Sequence, residues 1–247
     1  FAPALPGVRG VFDPFDEKNL AKMDALFAKS VAEQADDPLL IGYFLDNEQA
    51  FEDLPRALPA LTAKHAAKRA LVAQLQSTYK TIAAFNAAWG LDAPSFESLG
   101  DRGLPLTTQS AFADMQAFTE RFLDAYYRSV TETFRKYDRH HMLIGNRWQP
   151  GTANSETLCR VAGKYMDVIS INYYTCGIDA AFMRRLYEWT GRKPQMWSEF
   201  YFTATQESNV APSNNDLATQ RARGLAYRTY VEGAASLGFV VGVEWFT

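Results

Sequence analysis

Glu48 and Glu199 are the residues whose types and setting suggest chemistry first. Glu48 follows Asp46 and Asn47 at the end of "LIGYFLDNEQ", an apolar run that stops abruptly in polar groups. Glu199 sits in "WSEF", at the end of a second apolar run. Two carboxyls facing one cleft supply what hydrolysis of a glycosidic bond needs. One protonates the leaving oxygen, and the other attacks the anomeric carbon or activates water. A gap of about 5–5.5 Å between them gives retention, and about 6.5–9.5 Å gives inversion. The plainer alternative for either Glu is a solvated loop carboxylate, or one that favours the start of a helix. Two such residues among several aligned strand ends weigh against it.

The elements that must position them read as a strand–helix alternation. Strands are expected at 39–46, 141–148, 167–174, 194–200 and 239–246, with "GVRGVFDP" compatible with the end of a sixth. The run at 39–45 reads as buried. The strand ends carry Asn47-Glu48, Asn146-Arg147-Trp148, Asn172-Tyr173-Tyr174, Glu199 and Glu244-Trp245. Helical spacing of Leu20, Met23, Leu26, Phe27 and Val31 predicts a helix over 16–35, with Asp13 and Asp16 offering capping oxygens. Residues 49–138 read as one helical excursion. It includes a helix closing on Gly90 and a long helix over 110–137 with Phe112, Met115, Phe118, Phe122, Tyr126, Val130 and Phe134 on its apolar face. Shorter helices follow the later strands, the last with Asp216 near its cap.

Apolar strands alternating with helices indicate an α/β fold with a parallel sheet. Polar residues at successive strand ends fit a (β/α)₈ TIM barrel, whose site gathers there. A doubly wound sheet would also place residues at strand ends, but no glycine-rich phosphate turn follows any strand. A barrel takes about 250 residues. With 49–138 set aside, residues 1–247 hold only its C-terminal five or six β/α units as one partial catalytic domain. Either the chain is a fragment or other segments complete it.

Composition excludes some partners. The net charge of −3 provides no electrostatic case for nucleic acid or an anionic membrane. No apolar run approaches the roughly 20 residues that span a bilayer. Aromatics make up 14% of the chain, which suits either core packing or sugar stacking. Cys159 and Cys176 read as free thiols, with a single bridge as the alternative. His140 and His141 read as surface residues, and no Cys/His cluster has metal spacing.

"GYFLDNE", "WSEF" and "VEWF" resemble the strand-end signatures of clan A glycoside hydrolases. "FDPFDEKN…DDPLLIGYFLDNE" is similar to the family-42 β-galactosidases and the family-50 β-agarases. "FNAAWG" with "LPLT" resembles the helical excursion of both families, and "SEFYFTA…QRARGLAYRTYVEGA…FVVGVEWF" most resembles family 50. The likeness covers nearly the whole chain.

The resemblance implies Glu48 as acid/base and Glu199 as nucleophile of a retaining enzyme on β-galactosidic linkages of agar-type carbohydrate. A β-glucosidase or β-glucanase on the same barrel is the alternative, as is a non-catalytic carbohydrate-binding protein. Asn47 would bind the sugar 2-hydroxyl, Tyr174 or Tyr173 would orient the nucleophile, and Trp245 would floor the sugar site. Arg147 and Asn172 would line the rim, although Arg147 also fits a structural ion pair and Trp245 a core position. Family 50 carries a His where this chain has Glu244. That carboxylate would either face the site as a third acid or point outward. No metal or other cofactor is needed, and the expected partner is carbohydrate. The resemblance further implies a secreted or periplasmic bacterial enzyme.

Overall fold

The computed structural model describes residues 2–246. They form two compact units, between which the chain passes repeatedly. One unit is residues 2–40 with 49–141; the other is residues 41–48 with 142–246.

The first unit is helical. Its helices are α1 (Glu17–Ser30), α2 (Leu54–Ala60), α3 (Ala66–Tyr79), α4 (Ile82–Trp89) and α5 (Gln109–Tyr137). Asp16 caps α1 by accepting the Lys18 N–H, and Gly90 ends α4 in the left-handed conformation at φ +66°. Asp13 does not cap α1. Its buried carboxylate accepts the N–H groups of Phe15 and Ala67, so it satisfies the start of α3 instead. Along α5, Met115, Phe118, Phe122, Tyr126, Val130 and Phe134 are buried as the spacing predicts, whereas Phe112 in the first turn is exposed. The possible sixth strand in "GVRGVFDP" does not form. Ala4 and Phe12 make one antiparallel bridge around a turn.

His141 is buried, contrary to the surface expectation. Its Nδ1 lies 2.6 Å from Asp138 Oδ2 and its Nε2 lies 2.9 Å from the Asp37 carbonyl. Both contacts are to acceptors, so the imidazolium fits them best. The Asp138 hydrogen bond raises the His141 pKa above the ordinary 6.5. Burial works against ionisation of Asp138, but the hydrogen bonds from His141 and His140 outweigh it and hold that carboxyl below 3.8. The His141 contribution is complete below pH 6.5 and fades as pH rises through the raised folded value. The Asp138 contribution fades as pH falls below 3.8. Thermal unfolding should therefore show a decline in Tm above neutrality that Asp138→Asn flattens; an unchanged slope in the variant would refute the pair's role.

The second unit is mixed α/β. It holds β1 (Gly42–Tyr43), β2 (Met142–Leu143), α6 (Pro150–Ala153), α7 (Glu156–Ala162), β3 (Ile169–Asn172), α8 (Ala180–Trp189), β4 (Gln195–Phe200), α9 (Gln220–Ser236) and β5 (Val240–Trp245). Strand β1 pairs with β2, and β3, β4 and β5 pair in that order, all parallel. A parallel bridge between Trp148 and Ile171 joins the two sheets. Neighbours in space therefore follow chain order, and every strand end carrying a candidate residue faces the same way.

Burial follows position in this array. Every residue of β3 is buried, and so are all but one of β4. Strand β1 is short and half-exposed, with Leu39 89% and Ile41 64% exposed, so the buried strand expected over 39–46 is corrected. Among the described strands β1 pairs with β2 alone, and an edge strand is covered on one side only. The remaining strands are also shorter than expected at their ends. The last, expected over 239–246, forms over Val240–Trp245.

Gly42 fixes the spacing of the β1–β2 pair. A Cβ there would lie 2.5 Å from the Met142 carbonyl oxygen and 2.8 Å from Ile144 Cδ1. Backbone cannot yield as a side-chain tip can, so Gly42→Ala should destabilise by about 1–3 kcal/mol. Chemical denaturation checks this, and an unchanged midpoint would refute it.

Candidate active site

Each candidate side chain leaves the C-terminal end of a strand in the α/β unit. Asn47 and Glu48 follow β1, Arg147 follows β2, and Asn172 and Tyr174 lie at the end of β3. Glu199 lies near the end of β4 and Glu244 near the end of β5. The backbone is locally unusual where these groups are aimed. Glu48 and Arg147 have φ of +51° and +52°, in the left-handed region that costs a non-glycine residue about 1–3 kcal/mol. The register of β4 shifts against both neighbours near Ser198 and Glu199. Such an irregularity re-aims side chains relative to regular alternation.

Glu199 is buried and receives two donors. Arg147 Nη2 bonds its Oε1, and the Tyr174 hydroxyl donates to Oε2 at 2.6 Å. Burial first, and the Glu199 hydrogen bond and charge next, push the Tyr174 phenol well above its ordinary 10. Tyr174 therefore stays protonated as a donor. Tyr173 points the other way. Its hydroxyl accepts the Asp179 N–H at 2.9 Å beside the start of α8, and its ring packs on Trp197. Of the two tyrosines, Tyr174 is the one the structure brings to Glu199.

Arg147 organises the centre. Its backbone N–H donates to buried Ser170 Oγ, and its guanidinium stacks 4.9 Å from the Phe44 ring centroid. Its Nε donates to Asn47 Oδ1 at 3.0 Å, and Nη1 lies 4.0 Å from Glu244 Oε2. Glu244 thus faces the site rather than outward. Asp46 plays a local part, accepting the Asn47 N–H at 2.7 Å.

Glu48 has different company. Asn172 Nδ2 donates to its Oε1 at 3.0 Å and to Asn47 Oδ1 at 3.2 Å. Buried Ser198 donates to Asn172 Oδ1 at 2.8 Å and so orients that amide. Gln149 Nε2 donates to Glu48 Oε2 at 2.8 Å. Gln149, Ser170 and Ser198 went unread in the sequence. They are polar residues one or two positions from a candidate, and only spatial contact distinguishes them.

Trp245 is not brought into this network. It packs against Phe200 and Tyr227, with the Arg223 guanidinium 5.1 Å from its ring centroid. Alternation along β5 turns Glu244 to Arg147 and Trp245 toward α9. There it lines a cleft of about 320 Å³ with Tyr201, Phe202, Val210 and Phe246.

Cys159 and Cys176 are both free thiols. Among the described residues there is no group of three or more His, Cys, Asp or Glu that could hold a metal ion, and no helix is long and apolar enough to cross a membrane.

Carboxylates of contrasting surroundings at parallel strand ends form the kind of site found in glycoside hydrolases. The chain resembles the family-50 β-agarases in particular. It is 26% identical to β-agarase B of Vibrio sp. (strain JT0107) over 251 residues, covering 96% of this chain and 26% of that protein. The structure of an exo-β-agarase superposes with a TM-score of 0.85 at 27% identity, over 96% of this chain and 33% of that one. A β-galactosidase from Marinomonas ef1 shares the fold, with a TM-score of 0.63 at 17% identity, over 96% of this chain and 38% of that one. No family model matches the chain. The chain spans about a quarter of the length of the curated β-agarase it matches.

Proposed function

We propose that residues 1–247 belong to a retaining glycoside hydrolase that cleaves β-galactosidic linkages of agar-type polysaccharide or oligosaccharide. Its strands are the C-terminal part of a (β/α)₈ barrel, interrupted by the helical excursion of 49–138. Parallel strands in chain order support that architecture. The similarity to β-agarases supports the substrate class.

One observation carries the mechanism: the two carboxylates have different donors. Glu199 is held by a guanidinium and a phenol that stays protonated. Both favour the anion, as a nucleophile requires. Among the described residues the side-chain donors to Glu48 are the neutral amides of Gln149 and Asn172, a setting that suits an acid/base. In the first step Glu48 protonates the glycosidic oxygen as Glu199 attacks the anomeric carbon. In the second, Glu48 takes a proton from water as that water displaces Glu199. Asn47 Oδ1 is already satisfied by Arg147 and Asn172. Its Nδ2, without a protein acceptor among the described residues, is left for the sugar 2-hydroxyl.

Activity of the intact protein on a panel of aryl β-glycosides and agar oligosaccharides tests the substrate, and NMR of the first-formed anomer tests retention. Preference for glucosides would favour a β-glucosidase or β-glucanase. Calorimetric sugar binding without any hydrolysis would favour a binding protein.

A further inference from the structure

Gln149 stands at a helix start yet does no capping with its side chain. It is the N-cap of α6, followed by Pro150, and its carbonyl accepts the Ala153 N–H at 3.0 Å. A residue before proline is confined to extended backbone, which sets the direction in which the side chain leaves. That side chain reaches Glu48 Oε2.

The two oxygens of Glu48 are not equivalent. Arg147 Nε can only donate, so the Asn47 atom facing it is the amide oxygen. Asn172 must then present its nitrogen to Asn47, and the same nitrogen faces Glu48 Oε1. Oε1 therefore meets a donor that cannot be reversed, and a protonated Oε1 would set two donors against each other. Gln149 is exposed, and its Oε1 has no partner among the described residues. Its amide is free to turn over, presenting nitrogen to the carboxylate and oxygen to the carboxylic acid.

Taking Glu48 as the acid/base, we propose that its transferable proton resides on Oε2 and that Gln149 is the positioning residue serving both protonation states. In the acid, Oε2–H donates to the Gln149 oxygen until the glycosidic oxygen of substrate takes the proton and the C–O bond breaks. In the base, the Gln149 N–H steadies Oε2 while it accepts a proton from the attacking water, which displaces Glu199.

The test compares an agar oligosaccharide, whose leaving group needs a proton, with dinitrophenyl β-galactoside, whose leaving group does not. Gln149→Met should lower kcat/KM on the oligosaccharide by about 10-fold or more and leave kcat/KM on the aryl substrate within about 2-fold. Its kcat on the aryl substrate, limited by the water step, should also fall. Gln149→Lys, which can only donate, should lose the oligosaccharide rate and keep the aryl kcat. Equal losses on both substrates in Gln149→Met, no loss at all, or a normal oligosaccharide rate in Gln149→Lys would overturn the proposal. An unaffected Glu48→Gln variant would instead overturn the reading of Glu48 on which it rests.

Discussion

With Glu199 as the proposed nucleophile, Glu199→Ala should lower turnover by at least about 10⁴-fold on any substrate the protein hydrolyses, because the proposed covalent intermediate could not form. The fold should survive. Ser198 still holds Asn172, and the backbone N–H of Tyr173 still reaches the carbonyl of residue 199, since neither contact uses the lost carboxyl. Circular dichroism and thermal unfolding check this, with Tm expected within a few degrees of the parent. Added azide should restore turnover by occupying the vacated space and attacking the anomeric carbon directly, yielding the α-glycosyl azide. Near-normal turnover without azide would sink the nucleophile assignment.

With Glu48 as the proposed acid/base, Glu48→Gln should lower turnover on unactivated substrates by about 10²–10⁴-fold, the usual worth of a positioned acid/base. The new amide retains the shape of Glu48 but cannot release a proton to the leaving oxygen. Its two nearest protein partners, Asn172 and Gln149, are amides, so their hydrogen bonds are rearranged without stranding a charge. In Glu48→Ala, azide should intercept the glycosyl-Glu199 intermediate and give the β-glycosyl azide. Opposite azide stereochemistry in the Glu199 and Glu48 variants distinguishes the two roles. The same anomer from both would refute the division.

The strand ends were the legible part of the site. Asn47-Glu48, Arg147, Asn172 and Glu199 stand out because each interrupts or closes an apolar run. A buried parallel strand has little use for a charge except at its end. The helical excursion was equally legible. Its Ala- and Leu-rich helix α3, and the apolar face of α5, rest on local composition and periodicity. Errors fell where burial depends on neighbours distant in sequence. Leu39 and Ile41 look buried by composition but lie at the edge of the array. His141 looks superficial but is clasped by Asp138 and the Asp37 carbonyl. Asp216 lies near the cap of α9 as read, and the structure adds that Thr219 is the cap itself while Asp216 binds Thr203 and Thr205.

By itself the sequence determined which residues could do chemistry and that strand ends would present them. Residue type and periodicity are local properties, and they suffice for that much. Tertiary structure alone decided the partners. It chose Tyr174 over Tyr173, turned Glu244 to Arg147 and Trp245 to α9, and placed Gln149 on Glu48. Those outcomes lie beside a shifted strand register and two left-handed residues, and such irregularities re-aim side chains. Hydrogen-bond geometry changes with that aim, and no local pattern of residues encodes it.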